Sequence, residues 1–269
     1  SGGIAVPQLL KALNIEVIKL YCEPNGHFPH NPEPLKKHLE DLSKEVLAQQ
    51  ADFGIAVDPD VDRLVFMDER GTLFGEEYTL VACADYVLKK TPGPTVSNLS
   101  STRALAEISH RYQQSYFASA VGELNVVEIM KKSNAVIGGE GNGGVIYPDL
   151  HYGRDALVGI VLFLSLLVEK KITVSQLKDQ YPAFYMEKTK VNLPKDIKID
   201  VLMNQMAQLY AKEQISKEDG IKIDFDDSWV HLRKSNTEPI IRIYTEAKTQ
   251  KEATSLADSF YKSINKLIH

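Results

Sequence analysis

The chain has 269 residues, of which 43% are hydrophobic and 25% charged, with a formal net charge of −5. That is the composition of a soluble globular protein with room for two or three domains. The acidic balance, with no Lys/Arg cluster to offset it, argues against a nucleic-acid partner. No apolar run reaches membrane-spanning length, since the longest (residues 157–168) is interrupted by Gly159 and Ser165. Cys22 and Cys83 lie within apolar sequence and read as reduced thiols of a cytoplasmic protein.

Ser1-Gly2-Gly3 carries no signal-peptide pattern and leads into a helix without an initiating Met, so a chain cut from something longer is expected. Val6, Leu9, Leu10 and Leu13 at helical spacing predict a helix over residues 5–13, and residues 15–21 predict a strand. A loop rich in Pro, Gly, His and Asn follows. Its Pro29-His-Asn-Pro32 segment has no serine before the histidine and is read as a connection. Leu35, Leu39, Leu42 and Val46 mark the buried stripe of a second helix. Two apolar runs, residues 53–57 and 64–67, then flank a tight acidic turn, and residues 76–89 predict another helix. This alternation predicts an α/β layer structure with a largely parallel sheet, whose ligand loops stand at the carboxyl ends of its strands.

Thr91-Pro-Gly-Pro94 is the first expected boundary. Beyond it come a strand (95–98), helix (101–111), strand (116–119), helix (124–132), strand (135–138), a glycine-rich loop and a long helix (155–169). Tyr181-Pro-Ala marks the second boundary. The remainder predicts a strand, a helix over 197–213, two or three strands to about Thr245, and a terminal helix with Leu256, Phe260, Ile264 and Leu267 on one face. The expected domains are therefore 1–91 and 92–183, two similar α/β units with mixed, largely parallel sheets, and 184–269, a smaller α+β unit.

Three loops carry candidate chemistry. In the acidic turn, Asp58, Asp60 and Asp62 alternate, and an inside bend of three carboxylates calls for a cation. All-oxygen ligands suit a hard ion, Mg²⁺ more readily than zinc. A solvated acidic turn is the plain alternative. A calcium loop is disfavoured because Arg63 fills the sixth position, where Gly is needed. A phosphatase with Asp58 as nucleophile stays open. In the loop 138–144, Glu140 and Asn142 share permissive glycine backbone and suit bidentate bonding to vicinal sugar hydroxyls, against the alternative of a plain turn. In Arg233-Lys-Ser-Asn-Thr-Glu-Pro239, with Arg242 on the next strand, two arginines flank two hydroxyls, an amide and free backbone N–H groups, a set that matches a phosphate monoester. A polar hairpin with a rim ion pair to Glu238 is the alternative there. Val121-Gly122-Glu123 opens a helix and could offer backbone N–H groups. Asp155 reads as the N-cap of the long helix.

Asp58-Pro-Asp-Val-Asp-Arg63, Gly139-Glu-Gly-Asn-Gly-Gly144 and the Arg233–Pro239 segment, in this order and spacing, resemble the α-D-phosphohexomutase family over essentially the whole chain. That family includes phosphomannomutase, phosphoglucomutase and phosphoglucosamine mutase. The resemblance implies Mg²⁺ held by Asp58, Asp60 and Asp62, with Arg63 beside the phosphoryl-transfer centre. Glu140 and Asn142 would bind sugar hydroxyls, with Gly122 and Glu123 on a further substrate-side loop. Arg233, Ser235, Asn236, Thr237 and Arg242 would bind the phosphate that is not transferred. Substrates of the family are hexose phosphates and hexose bisphosphates, handled through a phosphoserine in a Thr-x-Ser-His-Asn-Pro-type loop of a first domain. No such loop occurs here, so the resemblance implies a chain without the first domain, without part of the second, and inactive alone. Asn142 and Gly144 stand where some members carry Ser and His. A non-catalytic phosphosugar-binding module is the remaining alternative.

Overall fold

The computed structural model describes residues 1–194, 197–235 and 238–268. It falls into two compact units, one of residues 1–118 and 122–182, the other of residues 119–121 and 183–269. Among the described residues, no helix is long and apolar enough to cross a membrane.

The first unit opens with α1 (Gly2–Ala12) and, after a 3-10 turn at Lys36–His38, α2 (Glu40–Gln49). Strands β1 (Phe53–Val57) and β2 (Leu64–Asp68) pair antiparallel, in register from Phe53 with Asp68 to Val57 with Leu64. Their connection is too short for a parallel crossover, so this sheet departs from the expected parallel order. Val46 of α2 and Leu39 pack on Val65 and Met67 of β2.

The expected strand at 15–21 is not formed. The sheet beside it contains β1 and β2 alone, and an extended segment without a ladder partner must leave its backbone groups to water or turns. Accordingly Ile18 is 48% exposed, and Tyr21 takes a left-handed backbone (φ 54°) instead of continuing an extended run.

Helix α3 (Glu76–Lys90) is buried along most of its length. It is followed by β3 (Thr95–Asn98), α4 (Ala104–Arg111), β4 (Tyr116–Ser119), α5 (Glu123–Ser133), β5 (Ile137–Glu140), β6 (Gly144–Ile146), α6 (Ala156–Lys170) and α7 (Val174–Lys178). The sheet order is β4-β3-β5-β6, with β3 and β5 parallel and β5 and β6 an antiparallel hairpin. Phe66 of β2 stacks on Phe163 of α6 with ring centroids 3.7 Å apart, and Phe74 meets the same ring edge-on at 5.0 Å. Asp85 of α3, buried, takes hydrogen bonds from Tyr112 and Tyr181 hydroxyls (2.7 and 3.0 Å) and faces Lys170 Nζ at 3.3 Å, so its charge is met inside the layer.

In the second unit, β7 (Tyr185–Asn192), α8 (Ile199–Leu209), β8 (Gln214–Ser216), β9 (Ile221–Asp224), β10 (Trp229–Lys234), β11 (Ile240–Ala247) and α9 (Gln250–Ile268) build an α+β fold. Its sheet runs β7-β11-β10-β9-β8, antiparallel throughout. Four strands follow α8 where two or three are expected, because α8 ends at Leu209 and residues 214–216 join the sheet edge. Val230, Leu232, Ile241 and Ile243 point to one face and pack with Met206, Phe260 and Ile264. Alternation therefore sends Trp229, His231, Arg233 and Arg242 to the other face.

Candidate functional site

The acidic turn is closed by its own first carboxylate. Asp58 Oδ1 accepts the backbone N–H groups of Asp62 (3.1 Å) and Arg63 (3.0 Å), and Val61 N donates to Asp58 O at 3.1 Å. Val61 takes a left-handed backbone, φ 64°. For a β-branched residue that is an outlier costing roughly 1–2 kcal/mol. Its carbonyl accepts the N–H of Ala156, the first residue of α6 (3.0 Å), which helps hold the strained bend.

One oxygen each from Asp58, Asp60 and Asp62 lies within 4.8 Å of the others. Asp58 is only 7% exposed. Burial, and then the neighbouring Asp62 carboxylate, raise its carboxyl above the ordinary carboxylate range, against the two backbone N–H bonds that pull the other way. Asp62 Oδ1 is buried without a hydrogen bond among the described residues. Asp60 is exposed and Asp62 half-buried, and clustered carboxylate oxygens with one buried acceptor unmet fit a hard divalent cation. Arg63 Nε lies 3.4 Å from Asp58 Oδ2 and 3.9 Å from Asp62 Oδ1, and its Nη1 reaches Glu33 Oε1 at 3.5 Å.

The glycine turn is stitched directly to the acidic one. Arg63 and Gly144 form an antiparallel bridge, and Leu64 N donates to Gly143 O at 3.1 Å. Gly143 has φ +90°, and a Cβ there would lie 2.9 Å from Leu64 N and nearer still to its carbonyl oxygen. Only glycine lets the two backbones approach this closely.

Glu140, at the end of β5, is 5% exposed. Its Oε1 accepts Asn98 Nδ2 (2.8 Å) and Gly122 N (3.1 Å), and its Oε2 accepts Arg154 Nη1 (2.8 Å). Asn142 Oδ1 accepts Gly144 N at 3.2 Å, which orients the amide on its own turn. Glu123, at the start of α5, accepts Arg154 N at 2.8 Å. Asp155 caps α6 by accepting Leu157 N and Val158 N, as its position before the long helix implies.

Arg154 is the residue that sequence reasoning missed. Its guanidinium also bonds Asp62 Oδ2, so it touches the acidic turn, the glycine turn and the start of α5. A lone arginine before a capping aspartate gives little signal. The surplus of carboxylates in Asp62, Glu123 and Glu140 is the clue that a shared cation was needed.

The structure thus brings together Asp58, Asp60, Asp62, Arg63, Gly122, Glu123, Glu140 and Asn142 within the first unit. In the second unit, Arg233 of β10 stands directly opposite Arg242 of β11, which stands opposite Lys190 of β7. Directly opposed residues share a face, and like charges there repel. Asp219 Oδ2 meets Arg233 Nε at 2.8 Å. Among the described residues, Asp219 is the carboxylate that an ion pair sets against this row of three cations, which makes the row suited to an anion. Lys190 is the residue missed in this row, because only the strand register reveals it. Ser235 N donates to Ile240 O (3.0 Å), and Ser235 Oγ accepts Glu238 N (3.3 Å). Asn236 and Thr237 lie outside the described residues.

Sequence profiles of three domains match the chain in series. They are phosphoglucomutase/phosphomannomutase alpha/beta/alpha domain II over residues 1–71, alpha/beta/alpha domain III over 75–185, and the C-terminal domain over 189–263. The class so defined is a multidomain α/β fold of the phosphohexomutase kind. The chain belongs to the phosphoglucomutase/phosphomannomutase family. It is similar to a phosphoglucomutase/phosphomannomutase of Thermococcus kodakarensis, 38% identical over 257 residues, covering 94% of this chain and 56% of that protein. Its fold is similar to a phosphoglucomutase/phosphomannomutase family protein from Burkholderia thailandensis (TM-score 0.85, 24% identity, 98% of this chain and 58% of that one). It is also similar to Aspergillus fumigatus N-acetylphosphoglucosamine mutase in complex with GlcNAc-6P and magnesium (TM-score 0.57, 14% identity, 78% and 51%). The chain spans little more than half the length of these relatives.

Proposed function

We propose that the chain supplies the cation, sugar and distal-phosphate sites of a phosphohexomutase. The reaction moves a phosphoryl group between the 1- and 6-positions of a hexose phosphate through an enzyme phosphoserine and a bisphosphate intermediate. The observation that supports this reading is the stitching of the acidic turn, whose carboxylates would hold a cation, to the turn that carries Glu140 and Asn142.

Asp58, Asp60 and Asp62 would hold Mg²⁺. When bound, it supplies charge neutralisation and electrophilic polarisation of the phosphoryl oxygens. Arg63 adds fixed positive charge at the same turn, where it stabilises charge developing on a transferring group. Glu140 and Asn142 accept from and donate to sugar hydroxyls, and Gly122, whose N–H holds Glu140 Oε1, and Glu123 line the same sugar from the start of α5. Arg233, Ser235, Asn236, Thr237 and Arg242 grip the phosphate that is not transferred, so either end of a bisphosphate can be the held one. The phosphoserine is supplied by a part of the enzyme other than these residues.

Asp58 fits a fixed ligand better than the nucleophile of a phosphatase, because it is buried and its Oδ1 is committed to two backbone amides. The test uses the purified chain with glucose 1-phosphate, Mg²⁺ and glucose 1,6-bisphosphate, measuring glucose 6-phosphate and free phosphate. The expected result is neither product, together with calorimetric binding of the bisphosphate that weakens in Arg233→Ala. Mutase turnover by the chain would refute the assignment of the serine elsewhere. Phosphate release abolished by Asp58→Asn would establish the phosphatase instead, and a chain that binds no bisphosphate would sink the reading as a whole.

A further inference from the structure

Arg154 stands just before α6 and reaches both turns with its side chain. Its backbone is fixed on both sides, by a bridge to Ile146 and by Asp155 N donating to Val145 O at 2.9 Å. Its stem lies against Gly144, where a Cβ would collide with Arg154 Cδ. From that fixed base the fork splits. Nη2 bonds Asp62 Oδ2, Nη1 bonds Glu140 Oε2 at 2.8 Å, and Nε lies 3.5 Å from Glu123 Oε2. The residue is largely buried.

Asp62 is therefore divided between two tasks. One oxygen is held by Arg154, and the other, Oδ1, is a buried acceptor without a hydrogen bond among the described residues. A carboxylate gripped on one oxygen presents the other in a fixed direction, and such outer contacts on metal ligands commonly matter as much as the ligand. Glu140 is divided in the same way, with Oε2 on Arg154 and Oε1 on Asn98 and Gly122.

We propose that Arg154 is a positioning residue that couples the cation turn to the sugar turn, so that cation and sugar phosphate each tighten the binding of the other. This rests on the phosphohexomutase reading of the same site. The guanidinium is a planar fork with donors fixed relative to one another, so aiming one arm at Asp62 constrains the arm on Glu140. A lysine would supply the charge without the fork. Linkage makes the effect reciprocal: whatever factor the sugar phosphate adds to cation affinity, the cation adds to sugar-phosphate affinity.

The sign of one measurement separates positioning from plain charge. Removing a cation beside three carboxylates would, by Coulomb's law alone, tighten the binding of a divalent ion. Loss of a positioning contact weakens it instead, commonly by about 10- to 100-fold.

The experiment is Mn²⁺ titration of the chain followed by electron paramagnetic resonance, with and without glucose 1,6-bisphosphate, for wild type, Arg154→Gln and Arg154→Lys. Circular dichroism confirms the fold of each. The wild type is expected to bind Mn²⁺ at least about fivefold more tightly with the bisphosphate than without it. Both variants are expected to bind Mn²⁺ about tenfold more weakly and to lose the bisphosphate effect. Arg154→Lys keeps the charge that the surrounding carboxylates need, so it carries the test if Arg154→Gln unfolds. Retained coupling in Arg154→Lys, or tighter Mn²⁺ in a folded Arg154→Gln, would overturn the inference while leaving the site reading intact. A wild type that binds neither Mn²⁺ nor the bisphosphate overturns that reading and the inference with it.

Discussion

Gly143→Ala tests the contact on which the first unit's site depends. At φ +90° an alanine pays the left-handed penalty of roughly 1–2 kcal/mol. Its methyl would also press on the backbone of Leu64, so the Leu64 N–H bond to Gly143 O cannot keep its 3.1 Å length. Losing that bond adds about 1 kcal/mol. The expected destabilisation is about 2–3 kcal/mol, which lowers the urea midpoint by on the order of 1 M at ordinary slopes. Far-UV circular dichroism follows the loss of structure, while fluorescence of Trp229, the chain's one tryptophan, reports the second unit alone. Mn²⁺ affinity should fall together with the midpoint, because the acidic turn loses its neighbour. A midpoint within about 0.2 M of wild type, a shift of well under 1 kcal/mol, would refute the argument that close backbone approach holds the two turns together.

Asp58→Asn should raise the melting temperature of the metal-free chain at pH 7 while abolishing Mn²⁺ binding. Its carboxyl is raised by burial and by Asp62, so its favourable contribution is full below the ordinary value of 3.8 and is lost as pH rises through the higher folded value. The amide keeps an oxygen for the Asp62 and Arg63 N–H groups, and a lower melting temperature would contradict this. His231 carries the opposite sign. Burial pushes its imidazolium down to about 4 from 6.5. Its contribution, about 3 kcal/mol, is present above pH 6.5 and is lost as pH falls toward 4, so His231→Gln should flatten the acid limb of the Trp229 fluorescence transition. Glu140→Gln places an amide NH₂ among the donors of Asn98, Gly122 and Arg154, and by leaving a buried guanidinium short of its partner should cost about 3–5 kcal/mol in urea unfolding.

Much of the architecture could be read from residue pattern. The acidic turn announces itself because charged residues at alternate positions interrupt two apolar runs, and the runs at 53–57 and 64–67 form β1 and β2. Helix α6 follows a capping aspartate, and the last helix buries Phe260 and Ile264 as its spacing implies. The segment 15–21 fails for a reason local pattern cannot supply, since strand-forming residues make a strand only where a ladder exists. Arg154 and Lys190 escaped for a related reason. Each is an ordinary surface-type residue in sequence, and each meets a group far along the chain, Asp62 92 positions away or Arg242 52 positions away. Strand pairing and register, not neighbours in the chain, decide those meetings.

Val61 has a consequence for the cation site proposed at the bend. A valine at φ 64° is held against its own preference, with its carbonyl tied to the first turn of α6. The awkward geometry is therefore set when the polypeptide folds, and a cation bound there would not need to reshape the loop. Val61→Gly should make the polypeptide hardier yet slacken its grip on manganese, a trade between endurance and readiness written into one backbone torsion.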